Sequence, residues 1–192
     1  MILAKLLLVR HGETGWEAEN RVQGWLDMPL SKKGLDQARE MAGQLKDKDI
    51  GVVYTSPLLR AHDTARIIAD LLGVKLIKDK NLRELDQGKW DGLTVEEIKT
   101  KFGRFYEKWY NDPFSICPPG GETIGEAKSR AASALKKIFK AHRGDNICLV
   151  THQIMSALIS YHLTPKDFSN ILDSLSPIAT WDEIGVPSKV AR

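Results

Sequence analysis

The sequence predicts an α/β fold with a mostly parallel central sheet and helices on both faces. Three observations lead there. Short apolar runs alternate with longer amphipathic stretches from end to end, the pattern of strand–helix–strand units. Helix-start signals stand just before the amphipathic stretches. Nothing resembling a repeat or a Pro/Gly-rich linker divides the 192 residues, so residues 1–192 are expected to form one domain, burying roughly 70% of the surface its unfolded chain exposes.

The elements follow in order. Leu6-Leu7-Leu8-Val9 reads as a short buried strand. Residues 10–29 read as a long polar loop, a type usually tied to function. Ser31 caps a helix running to about Lys46, with Leu35, Ala38, Ala42 and Leu45 on one face. Val52 to Thr55 is a second strand, and Ser56-Pro57 opens the next helix as cap and first residue. Leu58, Ala61, Ala65, Ile68, Ala69 and Leu72 form its buried stripe and Gly73 ends it. Val74 to Ile77 is a third strand, and residues 81–92 are loop. Thr94 with Glu97 forms a capping box for a helix to about Phe102, with a further helical turn carrying Phe105, Trp109 and Tyr110. Pro113 to Gly121 is loop. Thr123 with Glu126 is a second capping box, before a long helix burying Ala127, Ala131, Ala134, Leu135, Ile138 and Phe139. Ile147 to Val150 is a fourth strand, Gln153 to Leu163 a helix, Thr164-Pro165 the start of a short helix, and Ile178 to Ile184 a last strand.

Composition narrows the function. Charged residues make up 28% of the chain and hydrophobic residues 42%, ordinary for a globular protein and incompatible with overall disorder. A net charge of +3 spread over mixed signs does not call for nucleic acid. No apolar run approaches the ~20 residues that span a bilayer, and Arg10-His11-Gly12-Glu13 is no signal-peptide cleavage site. Cys117 and Cys148 lack metal or redox spacing, so both are read as reduced thiols of a cytoplasmic protein. The phosphate-loop, dinucleotide, nucleophile-elbow and zinc-protease motifs are all missing.

Ligands of such folds bind beyond the carboxyl ends of the strands. Three segments meet that condition: Arg10-His11, Ser56 to Arg60, and His152. His11 suits nucleophilic or acid–base work, Gly12 allows close backbone approach, and Arg10 offers a fork that matches phosphate oxygens. Arg60 lies in the first turn of a helix, where anions are favoured. Glu84 adds a carboxylate. Taken singly, each has a plainer reading: a strand-end histidine, a surface arginine, a core histidine, a loop acid paired with Arg83. Trp90, Phe105 and Trp109 read as core or lid packing.

Together these residues resemble the histidine phosphatase superfamily, the phosphoglycerate mutase-like proteins. The matching blocks are Leu7 to Thr14 (LLVRHGET), Asn20 to Trp25, Asp27 to Ser31, Thr55 to Ala61 with Thr64-Ala65, Leu82 to Glu84 with Gly88 to Gly92, Pro119 to Thr123, and Leu149 to His152. They run in register from about Lys5 to His162. The resemblance implies that His11 attacks phosphorus and forms a phosphohistidine. It implies that Arg10, Arg60 and His152 hold the phosphoryl oxygens, and that Glu84 first protonates the leaving oxygen and then takes a proton from water. It places Arg10, Glu17, Gln23, Gly24, Arg60, Glu84 and Gln153 on the substrate. The arginines should favour a neutral His11. With that much positive charge, no metal and no cofactor are expected.

Two positions depart from the family pattern. Glu17 stands where the family usually has Asn, and Gln153 follows the second histidine where Gly is usual. A carboxylate facing phosphate is unfavourable unless it is protonated or turned away. The resulting expectation is a phosphomonoester hydrolase for a small phosphorylated metabolite in the cytoplasm, with specificity set by residues 94–119 over the pocket. A cofactor-dependent phosphoglycerate mutase and a weakly active phospho-ligand binder are the alternatives. The sequence leaves oligomeric state open, a homodimer included.

Overall fold

A computed structural model describes residues 2–164 and 171–187. The apolar runs become the strands β1 (Ile2–Arg10), β2 (Ile50–Thr55), β3 (Lys75–Lys78) and β4 (Asn146–Thr151), joined by a fifth, β5 (Trp181–Pro187). They form one sheet in the order β3-β2-β4-β1-β5. The first four are mutually parallel, and β5 pairs antiparallel with β1, Trp181 opposite Val9. The helices are α1 (Gly15–Ala18), α2 (Lys32–Gln44), α3 (Leu59–Leu72), α4 (Val95–Asn111), α5 (Ile124–Ala141) and α6 (Gln153–Leu163). Among the described residues, no helix is long and apolar enough to cross a membrane.

Strand alternation divides the core. On one face Leu6, Leu8, Ile147 and Leu149 pack with α5 and α6; on the other Leu7, Val9, Cys148 and Val150 pack with α2 and α3. A strand interior to the sheet must be apolar on both faces, which is why β1 and β4 read as unbroken apolar runs. Cys117 and Cys148 are free thiols, and burial pushes Cys148 up to about 12.

Several boundaries differ from the sequence reading. The polar stretch 10–29 contains the single turn α1, started by a capping box of Thr14 and Glu17. Helix α3 begins at Leu59 rather than at Pro57, because Leu58 is extended (φ −64°, ψ 136°); Ser56 Oγ instead accepts the Leu58 N–H at 3.2 Å. The two helical pieces expected at 94–110 are one helix, α4, interrupted at Phe102, whose φ of −131° is not helical. The last strand starts at Trp181, three residues later than expected, and Phe105 is exposed rather than packed. The short helix expected from Thr164-Pro165 lies outside the described residues.

Candidate active site

The carboxyl ends of the central strands β1, β2 and β4 converge, and the three separated segments come together there. His11 directly follows β1. Its backbone N–H donates to the Thr151 carbonyl at the end of β4 (3.2 Å), and the Gly12 N–H donates to Thr64 Oγ1 in α3 (3.1 Å). A side chain at Gly12 would lie 2.5 Å from the Gly34 carbonyl, so only glycine lets the start of α2 press against this turn.

The His11 ring is buried and its orientation is fixed. Nδ1 lies 2.8 Å from the Gly12 carbonyl, which can only accept, so Nδ1 carries the proton. Nε2 accepts from Arg60 Nε at 3.3 Å. Burial, first, and the Arg60 charge, second, hold the imidazole well below the usual histidine range. The neutral state expected from the flanking arginines therefore owes more to desolvation. His152 sits edge-on to His11, ring centroids 5.1 Å apart, and is likewise held low by burial and then Arg60.

Arg60 is fully enclosed. Its Nη1 donates to the Leu26 carbonyl (2.9 Å) and its Nη2 to the Gly24 carbonyl (2.8 Å). Gly24 thus touches the site through its backbone, and Gln23 lines the cavity. Arg10 donates to the Ser176 carbonyl and to Glu17 Oε1 (3.2 Å). Glu84 accepts from the N–H groups of Leu85 (2.8 Å), Ile154 (3.1 Å) and Met155 (3.2 Å). It caps α6 from outside, since His152 at the N-cap position supplies no side-chain bond.

These groups line a cavity of about 490 Å³ that also includes Glu17 and Gln153. The cavity gathers the unspent polar atoms. Buried side-chain atoms without a hydrogen-bond partner, among the described residues, are Arg10 Nε, Gln23 Oε1, both His152 nitrogens, Asp91 Oδ1 and the indole nitrogens of Trp90 and Trp109. Arg10, Gln23, Trp90 and Trp109 line the cavity, His152 abuts His11, and Asp91 abuts Gly24. Orphaned polar groups are rare in folded proteins and tend to mark functional sites.

The family model for the histidine phosphatase superfamily (branch 1) matches residues 6–183. The chain belongs to that superfamily. Its members cleave phosphomonoesters through a phosphohistidine without a metal, and this histidine phosphatase is an enzyme of that phosphatase and mutase type. It is 34% identical over 152 residues to phosphoserine phosphatase 1 of Hydrogenobacter thermophilus, covering 79% of this chain and 72% of the relative. It is 37% identical over 159 residues to a probable phosphoglycerate mutase of Enterobacter sp. strain 638, covering 82% and 74%. Among solved structures, a mycobacterial glucosyl-3-phosphoglycerate phosphatase superposes with a TM-score of 0.90 at 26% identity, covering 98% of this chain and 94% of that one.

The two departures take definite places in this histidine phosphatase. Glu17 does not project freely at the phosphate position. Its Oε2 accepts the Thr14 N–H (2.8 Å) and its Oε1 pairs with Arg10, so the acid is turned into its own capping box. Gln153 is the first residue of α6 and lines the cavity. Arg83 does not pair with Glu84; its guanidinium stacks 3.8 Å over the Trp25 ring.

One supporting pair escapes the sequence reading. Arg130 of α5 donates to the carbonyls of Asn81 (2.8 Å), Arg83 (2.7 Å) and Glu84 (2.7 Å), and is held by Glu122. Glu122 also accepts the Asp86 N–H at 3.0 Å. The pair fixes the backbone on both sides of Glu84. The available signal was an arginine beside the apolar stripe of α5, eight residues after the acid of the Pro119–Thr123 block. Among the described residues, no group of three or more His, Cys, Asp and Glu could hold a metal ion.

Proposed function

We propose that this protein hydrolyses a small phosphorylated metabolite in the cytoplasm, that residues 1–192 act as one domain, and that His11, Arg10, Arg60, His152 and Glu84 carry the reaction. The observation that carries this reading is the His11 ring: neutral, with Nδ1–H tied to the Gly12 carbonyl and Nε2 among the Arg60 and His152 side chains. A nucleophile needs a lone pair and a fixed direction, and both are supplied.

The Nε2 lone pair forms a bond to phosphorus while the bond to the ester oxygen breaks, and Glu84 gives that oxygen a proton, releasing an alcohol. Arg10, Arg60 and His152 stabilise charge on the three equatorial oxygens. Water then attacks phosphorus, Glu84 takes its proton, and phosphate leaves with His11 restored. Gln23 and Gln153 orient the substrate, and Glu17 sets how much of Arg10 is available to it.

The relatives named as mutases favour a second reading, in which the phosphohistidine returns its phosphoryl group to an alcohol instead of water. One experiment separates the two. The full chain is given a panel of phosphorylated metabolites, with released phosphate and isomerised phosphoester measured in the same samples. Phosphate release that disappears in His11→Ala, together with an acid-labile phosphoenzyme, is the expected result. Isomerisation without phosphate release would make the protein a mutase, and full turnover in His11→Ala would remove the mechanism.

A further inference from the structure

The phosphate end of the cavity carries the charges of Arg10 and Arg60 and of the acids Glu17 and Glu84; the rest of the lining is uncharged apart from Arg21, which is already ion-paired. Its far walls are built by Trp90, Ile98, Tyr106 and Trp109 on one side of the sequence and by Leu172 and Leu175 on the other. Trp90 and Trp109 meet edge to face at 5.5 Å, and Tyr106 lies against Trp90 at 5.8 Å, giving the site a rigid aromatic lining. The polar residues interspersed there, among them Gln23, Gln87 and Gln153, are uncharged.

No cation is left for a second anionic group. The described residues around the cavity include no lysine, and its arginines are Arg10, Arg21 and Arg60. Arg10 and Arg60 belong to the phosphate. Arg21 is committed to Glu19 (2.7 Å), Glu97 (3.2 Å) and the Gly92 carbonyl (3.0 Å). The acids of the lining, Glu17 and Glu84, offer an anionic group no ion pair. A substrate carboxylate lodged in the far half would lose its hydration and gain no ion pair, which is strongly unfavourable. An apolar or aromatic group would gain from burial and from ring–ring contact.

We infer that the leaving group of this enzyme is an uncharged alcohol bearing a flat apolar or aromatic moiety, seated against Trp90, Tyr106 and Trp109, and not a glycerate or an amino acid. The inference deepens the hydrolase reading and rests on it for the phosphate end.

Two non-hydrolysable phosphonates test it by binding alone. Titration calorimetry on the full chain compares 2-phenylethylphosphonate with 2-carboxyethylphosphonate. At least tenfold tighter binding of the phenyl compound is expected; equal or tighter binding of the carboxylate compound overturns the inference. Turnover is measured separately with phosphate esters of two primary alcohols, 2-phenylethyl phosphate and 3-phosphoglycerate, and a kcat/KM ratio of tenfold or more for the phenyl ester is expected. Absence of turnover for every ester alongside the phenyl preference in binding would defeat the hydrolase reading and leave the leaving-group assignment standing. Tyr106→Arg, a half-buried position outside the catalytic set, should shrink the binding preference at least fivefold by supplying the missing cation. A folded Tyr106→Arg variant with an unchanged ratio would show that the far wall does not select the substrate; if it fails to fold, the wild-type pair decides.

Discussion

At the scale of single residues, the roles of Glu84 and Glu17 follow from what their oxygens already touch. Glu84 Oε1 accepts two backbone N–H groups and Oε2 accepts one, from Ile154. Glu84→Gln can keep its carbonyl oxygen at the doubly bonded position, leaving the amide to face the Ile154 N–H. The variant should fold, with a loss of about 1–2 kcal/mol from the mismatched cap. It should lose kcat on alkyl phosphates by about 100-fold or more and on p-nitrophenyl phosphate by much less, since an activated leaving group needs little protonation. Equal losses on both, measured by steady-state kinetics, would take the acid role from Glu84. Glu17→Asn acts in the opposite sense. It removes a charge from Arg10 and half of a capping box, so KM for phosphomonoesters should fall while stability drops by about 1 kcal/mol. An unchanged KM would mean that the Arg10–Glu17 pair opens at no cost when substrate binds. The catalytic candidates were legible in the sequence because each lies inside a short motif: Arg10, His11 and His152 at strand ends, Arg60 in the first turn of the helix after β2, and Glu84 in the loop after β3. Arg130 was not, because its partners Asn81, Arg83 and Glu84 lie 46 to 49 residues away and are backbone atoms, which leave no trace in side-chain identity.

At the scale of elements, three of the longer helices were legible from starts encoded locally, and α6 was read from its apolar run although His152 offers no side-chain cap, while the single turn α1 was missed despite its capping box. Ser31, Thr94 and Thr123 each cap their helix through a side-chain bond to the third residue on, an interaction contained in four consecutive positions. The start of α3 depends on how the Ser56–Leu58 turn meets β4 and was misplaced by two residues. Strand β5 has its limits set by pairing with β1 at six positions, from Ile2 with Pro187 to Val9 with Trp181, and local pattern could only approximate it. The interruption of α4 at Phe102 was visible as a gap between two helical patterns, with Gly103 beside it. A side chain at Gly103 would meet nothing within 4 Å. Gly103→Ala should therefore raise stability by about 0.5–1 kcal/mol through helix propensity alone, read as a higher urea midpoint. A decrease would show that residue 103 needs glycine's backbone freedom to let the half of α4 bearing Tyr106 and Trp109 close the cavity. Arg130→Met tests the α5 clamp in the same spirit: by freeing the Glu84 loop it should cost more kcat on alkyl than on aryl phosphates, whereas a merely structural loss would lower both together.

At the scale of the whole molecule, two apolar cores sandwich a sheet whose carboxyl edge carries His11 and His152, both displaced from their ordinary behaviour by burial, and this should be visible in stability against pH. His11 and His152 are both held well below 6.5, with burial the first cause. Unfolding returns each to its ordinary range, so below about pH 6.5 the unfolded chain binds protons that the folded one refuses. The contribution of these histidines is complete above that pH and is lost as pH falls toward their folded values. Asp91 works against them. Burial pushes its carboxyl up to about 6 from 3.8, so between those values the folded state holds the extra proton, and stability from Asp91 decreases as pH rises. With two histidines against one aspartate, the net slope keeps the sign of the histidines: the urea midpoint should climb from pH 5 to pH 7. Asp91→Asn keeps an oxygen for the Trp25 N–H and removes the opposing titration, so the climb should become steeper. Replacing His11 and His152 together by asparagine should reverse it over the Asp91 window. A flat profile in the wild-type protein, or one unaltered by the double replacement, would mean that the two rings take up protons in the folded state, and a neutral His11 nucleophile would no longer follow from its burial.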